Sequence, residues 1–178
     1  MTDSARPKIF VSKCLVSERC RWDGAVLNDD ITVSLRPYAD IITVCPEMEI
    51  GMGVPRDPVR IVSKEGGPVL VQLNTGKDIT AEMKGFSSRY MDILNDVDGF
   101  ILKDRSPSCG IGNVKVYQDT RSERPIGETD GFFAAEILRS FKDRPIETDS
   151  SLSDRIIRER FIDRIYVLAR NRMLKGQV

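Results

Sequence analysis

The sequence predicts an α/β domain with a mostly parallel sheet, a small β-hairpin excursion and a C-terminal helix. Three short apolar runs carry this reading: Ile9-Phe10-Val11, Ile41 to Val44, and Phe100-Ile101-Leu102. Continuous apolar strands of this kind are buried on both faces of a parallel sheet. Segments with helical spacing alternate with them. Each run gives way to a loop bearing a cysteine, at Cys14, Cys45 and Cys109. In open α/β sheets, that carboxyl edge is where ligands bind.

Taken in order, the first strand runs from Lys8 to Lys13 and delivers Cys14. Leu15 to Gly24 has no clean period and closes on Asp-Gly, so it reads as a long loop. Asp29 or Asp30 caps a short helix that stops at Leu35, before Pro37. A strand from Asp40 to Val44 delivers Cys45-Pro46-Glu47, and Gly51, Gly53, Pro55 and Pro58 mark a further loop. Val59 to Val62 and Val69 to Leu73 flank Gly66-Gly67 as a hairpin. A helix from Asp78 or Thr80 to about Asn95 has one apolar stripe (Ile79, Met83, Phe86, Tyr90, Leu94). The strand Gly99 to Leu102 leads into Arg105-Ser106-Pro107-Ser108-Cys109-Gly110. Val114 to Tyr117 is a short strand, and residues 118–129 are polar and turn-like. Thr129-Asp130 caps a helix to Phe141.

Residues 142–152 read as a linker, and Ser153 to Leu174 as an amphipathic, arginine-rich helix. The expected division is 1–147 as the α/β domain and 148–178 as linker and helix. The helix's basic face reads as a solvated surface over a docked apolar stripe. An RNA-facing surface, or the start of a second helical domain, are the alternatives.

Composition narrows the chemistry. The 178 residues include 27 basic and 27 acidic side chains, so no global basic field announces nucleic-acid binding. Histidine is absent, which removes Ser-His-Asp and Cys-His catalysis and imidazole metal sites. Acid–base work then falls to carboxylates, lysine, tyrosine or cysteine. No apolar run is long enough to span a bilayer, and residues 1–7 lack the apolar core of a signal peptide. A cytoplasmic location follows as the expectation, with four free, catalytic or metal-bound cysteines rather than a disulfide framework. Spacing links none of the cysteines in a short metal motif. Each one alone reads as a packed hydrophobe, while three at strand ends suit a soft metal or an iron–sulfur cluster.

The motifs carry a resemblance. Cys14 with Cys20-Arg21-Trp22-Asp23-Gly24, Cys45-Pro46-Glu47 with Gly51, Gly53-Val54-Pro55-Arg56, and Arg105-Ser106-Pro107-Ser108-Cys109-Gly110 together resemble the thiouracil desulfidase family, formerly a domain of unknown function. The resemblance covers about residues 7–141. Residues 148–172 resemble the start of the helical domain in the longer members, which act on 4-thiouridine in tRNA, and imply a truncated C-terminal domain. The resemblance implies a Rossmann-like, three-layer fold and a [4Fe–4S] cluster held by Cys14, Cys45 and Cys109, with Cys20 as accessory or alternative ligand. It also implies non-redox removal of sulfur from 4-thiouracil or 4-thiouridine, as base, nucleoside or tRNA.

Glu47 is the candidate acid–base residue, because Pro46 restrains the backbone beside Cys45 and histidine is unavailable. Ser106 and Ser108 are candidate contacts to the pyrimidine edge, or simple turn formers. Backbone N–H groups near Gly110 are a candidate anion nest. Trp22 either stacks a base or packs. Arg21, Arg56 and Arg105 either pair with Asp23 and Asp104 or bind a nucleotide phosphate. Two other classes stay open: a metal-binding or redox-sensing protein using all four cysteines, and a tRNA-binding module.

Overall fold

Alternation along three strands builds the centre of the molecule. The computed structural model describes residues 5–27 and 29–175; four of the residues read for a signal peptide lie outside that range. Strands β1 (Lys8–Ser12), β2 (Asp40–Val44), β5 (Gly99–Leu102) and β8 (Ile146–Thr148) form one all-parallel sheet in the order β2-β1-β5-β8. Phe10, Phe100 and Leu102 point to one face, where they pack with Phe133, Ile137 and Leu94. Ile9, Val11 and Ile101 point to the other, against Leu35, Phe161 and Ile165. The first group of partners comes from α3 (Thr80–Tyr90), the 3-10 turn after it and α4 (Phe132–Ser140); the second comes from α1 (Asp30–Leu35) and α5 (Arg155–Lys175). Covering both faces makes the strands read as unbroken apolar runs. The result is the three-layer α/β fold that the sequence predicts.

The hairpin is larger than expected. β3 (Val59–Lys64) and β4 (Gly67–Gln72) are joined by β6 (Val114–Tyr117) and β7 (Pro125–Thr129) in a second sheet, ordered β4-β3-β6-β7. It has its own small core of Ile61, Leu70, Ile79, Met83 and Val114. Residues 118–129, read as turns, thus contain β7. This strand lies at the sheet edge and is largely exposed, so it shows no apolar alternation.

Two other expectations change. The linker reading of 142–152 gives way to β8, which pairs Phe100, Ile101 and Leu102 with Ile146, Glu147 and Thr148. Three residues in a charged stretch are too few to show a period. The cap expected for α4 at Thr129-Asp130 is not used either. Asp130 accepts from Gly112 N at 2.7 Å, and the first amides of α4 go to the Cys109 loop instead. Asp29 does cap α1, accepting from Thr32 N at 2.8 Å.

Helix α5 docks Phe161, Ile165 and Ala169 onto the sheet, and Asp154 accepts from Ile156 N and Ile157 N at its start. It is less one-sided than the sequence implies, since Ile156, Val167 and Leu174 are exposed. Several of its arginines have protein partners. Arg158 donates to Leu152 O, Arg164 to Asp143 O, and Arg172 to the buried Asp98. Among the described residues, no helix is long and apolar enough to cross a membrane.

Candidate functional site

The carboxyl ends of β2, β1 and β5, three neighbouring strands, each release one cysteine. Cys14 sits in a 3-10 turn directly after β1. Cys45 precedes α2 (Pro46–Glu49), whose first position holds a proline suited to a helix start. Cys109 ends the loop that leaves β5. The helix after β1 covers one face of the sheet and the helix after β5 covers the other, which opens a crevice between these neighbouring strands at this edge. That crevice is a cleft of about 310 Å³ lined by Cys14, Cys20, Cys45 and Cys109. Cys20 arrives from the loop after β1 and is buried.

Glu47, also buried, stands between the cysteine-bearing segments. Its Oε1 accepts from Ser108 Oγ at 2.8 Å, and its Oε2 accepts from the Cys45 thiol at 3.3 Å. Arg56 closes the group. Its Nη1 donates to Cys20 O at 2.7 Å and to Gly53 O at 3.1 Å, and its Nη2 lies 3.8 Å from both Cys45 Sγ and Glu47 Oε2. With its side chain only 6% exposed, Arg56 is committed to the protein.

The thiols oppose one another. Cys20 is pushed up to about 11, first by its hydrogen bond with the Cys14 thiol and then by burial, although its contact with Cys45 pulls the other way. Cys45 lies far above the usual thiol range because of its hydrogen bond with Cys20, burial and the Glu47 charge. Burial, followed by Glu47, raises Cys109 strongly. Neighbouring thiols of this kind surrender their protons together only to a cation that bonds them. Among the described residues, no three Cys, Asp or Glu side chains gather as a single metal ion requires. Thiols spread around one cleft are the soft donor type that a multi-iron cluster takes.

The Cys109 loop is clamped from several sides. Ser106 Oγ accepts from Ser108 N and Cys109 N at 3.3 and 3.1 Å, so this serine both forms the turn and lines the cleft. Phe133 N and Ala134 N, in the first turn of α4, donate to Ser108 O. This backbone contact accounts for Gly131, where a Cβ would lie 2.5 Å from Ser108 C. Gly110 is a packing position, against Ser106 backbone and Val114, and does not line the cleft. Ser108 is buried behind the wall.

At the rim stand Trp22, 47% exposed, and Arg105, whose side chain is 81% exposed. Arg105 pairs with Asp104 at 3.5 Å and Arg21 with Asp23 at 3.3 Å. Asp23 does not line the cleft. Ser12 and Lys103 line it without having been singled out from sequence. Ser12 lies at the end of β1 and accepts from Lys103 N at 3.0 Å. Lys103 pairs with Asp149, a residue in the stretch read as linker, where nothing in the sequence marks it.

Residues 9–149 match the family model of 2-thiouracil desulfurase. The uncharacterized protein YbbK of Bacillus subtilis (strain 168) is 29% identical over 125 residues, spanning 66% of this chain and 82% of YbbK. The solved structure of the [4Fe-4S]-dependent thiouracil desulfidase TudS aligns with a TM-score of 0.66 at 24% identity, over 83% of this chain and 94% of TudS. That likeness carries the fold, and the family model carries the family. The chain belongs to the 2-thiouracil desulfurase family.

Proposed function

We propose that this chain is an iron–sulfur-dependent desulfidase that exchanges the sulfur of a thiouracil for oxygen. The overall step is thiocarbonyl plus water to carbonyl plus hydrogen sulfide, with no net electron transfer. The observation that carries the reading is the convergence of the cysteines and the buried Glu47 on one cleft at the sheet's carboxyl edge.

In this reading Cys14, Cys45 and Cys109 hold a [4Fe–4S] cluster, with Cys20 as the accessory thiol. When bound, such a cluster supplies a Lewis-acidic iron without a protein ligand, suited to the substrate's sulfur. Glu47 takes the proton of the attacking water and returns it to the ring or the departing sulfur, at Oε2 facing Cys45. Ser108 and Arg56 hold that carboxylate in place. Trp22 and Arg105 cover the base at the rim. Ser106 keeps Cys109 N and Ser108 N turned inward.

The substrate covers 4-thiouracil as base or as 4-thiouridine, with thiolated tRNA as the largest form. Neutral net charge, together with helix arginines engaged on the protein, favours base and nucleoside as the first substrates to assay. Free thiols suit a reducing, cytoplasmic setting.

Isolation without air is the test. The protein is expected to carry about four irons and four sulfides per chain, and to release sulfide from 4-thiouracil. A chain that takes up no iron on anaerobic reconstitution overturns the reading. If Cys20→Ser loses iron as fully as Cys14→Ser, ligation by four cysteines replaces the open site.

A further inference from the structure

The turn after β8 is stitched to the start of the Cys109 loop by one carboxylate with two partners. Asp149 Oδ1 accepts from Asp104 N at 2.7 Å, and Asp149 Oδ2 pairs with Lys103 Nζ. The backbone joins in, because Asp149 N donates to Leu102 O at 3.1 Å and so extends the ladder past Leu102 and Thr148. Ser150 Oγ donates to Asp104 Oδ2 at 2.8 Å. Residues 103 and 104 are therefore fixed from a segment that contains none of the cysteines.

Lys103 lines the cleft. An ammonium has three N–H donors, and Asp149 is the only acceptor of Lys103 Nζ among the described residues. Two donors are left for a ligand. Without a fixed partner, the four-carbon stem of a lysine samples many rotamers. Paired to Asp149, with both side chains mostly buried, it becomes a cation of set position. A pyrimidine carbonyl oxygen is the acceptor type it suits.

We propose that Asp149 is a positioning residue of this site, setting Lys103 in the cleft and holding the entry of the Cys109 loop. The Lys103 part rests on the desulfidase reading; the loop part rests on geometry alone.

Two measurements test it. In the metal-free full chain, maleimide labelling of Cys109, read by mass spectrometry, is expected to speed up by about tenfold in Asp149→Ala, as local opening exposes the buried thiol. Asp149→Asn keeps an oxygen for Asp104 N and is expected to label within about twofold of the parent. In the anaerobically reconstituted protein, Asp149→Asn is expected to raise KM for 4-thiouracil by about tenfold with little change in kcat. Lys103→Met should reproduce that split.

Parent-like labelling in Asp149→Ala overturns the loop role. If that variant does not fold, parent-like labelling in Asp149→Ser, whose single short hydroxyl cannot serve both Asp104 N and Lys103, does so instead. Parent-like KM in Asp149→Asn overturns the Lys103 role. A parent protein that loads iron yet releases no sulfide removes the desulfidase reading, while the labelling comparison still decides the loop role.

Discussion

Ser108 Oγ donates to Glu47 Oε1 at 2.8 Å, joining two buried side chains 61 residues apart. One belongs to the loop after β5 and the other to the first turn after β2. Their bond ties the walls of the cleft together from behind.

Ser108→Ala removes the donor and leaves a buried carboxylate oxygen short of a partner. The expected loss is about 1–2 kcal/mol of stability, measured as a lower urea midpoint. Glu47→Gln keeps the side chain's size and removes its basicity. It is expected to retain iron and to lower sulfide release by about a hundredfold or more. Parent-like turnover in Glu47→Gln would move the acid–base role elsewhere.

Gly131→Ala and Gly99→Ala make a matched pair. At Gly131 the new methyl meets the Ser108 backbone at 2.5 Å, and at Gly99 it meets packed side chains, Ile165 Cγ2 at 2.5 Å with Phe161 and Pro145 at 3.2 Å. Backbone cannot yield locally, and the β-branched Ile165 is stiff at χ1, so each substitution is expected to cost about 2–3 kcal/mol. Gly131→Ala should also reduce iron uptake, because its neighbours are Ser108 and Cys109. A loss under about 1 kcal/mol at either position would contradict this expectation.

In the metal-free chain, Cys20 lies at about 11 against an ordinary 9.0, and Cys45 and Cys109 are also raised. A thiol with a raised folded-state value binds its proton more tightly in the folded chain. The stability this confers is complete below the unfolded value and disappears as pH rises through the folded one. The urea midpoint of metal-free protein is therefore expected to be lower at about pH 10.5 than at about pH 8. A midpoint that rises over this interval would show that the thiols are not held in their neutral form.

Arg172 Nη2 lies 2.8 Å from Asp98 Oδ2, and Asp98 also accepts from Lys8 N at 2.8 Å. Arg172→Met strands a buried carboxylate. The expected loss is about 2 kcal/mol, less than for a fully buried pair because Arg172 is partly solvated. An unchanged thermal midpoint would mean that the last turns of α5 contribute little to holding the sheet.

The strand–cysteine junctions are legible because each strand is apolar on both faces, so Ile9-Phe10-Val11 and Phe100-Ile101-Leu102 stand out from their surroundings. Glu47 is legible through its neighbours Cys45 and Pro46. Arg56 reads as a phosphate ligand or a surface pair, since nothing local indicates that the Gly51 to Pro55 loop folds its guanidinium back onto Cys20 O. β8 and Asp149 were hidden for a different reason. Their partners, Phe100 to Asp104, are over forty residues away, and a three-residue strand has no period of its own.

The three cysteines meet only after β1 has paired with β2 on one side and β5 on the other. The β1–β5 contact closes a long stretch of chain, as shown by the bond from Lys103 N to Ser12 Oγ across 91 residues. Parallel pairings over such distances form late, because chain entropy is lost before the contacts repay it. The thiol cleft is thus complete only once both pairings have formed, so a cluster held as proposed by all three cysteines requires the sheet to be in place. Occupancy then stabilises the native state by mass action, so metal scarcity would appear first as faster turnover of an intact fold, not as failure to fold.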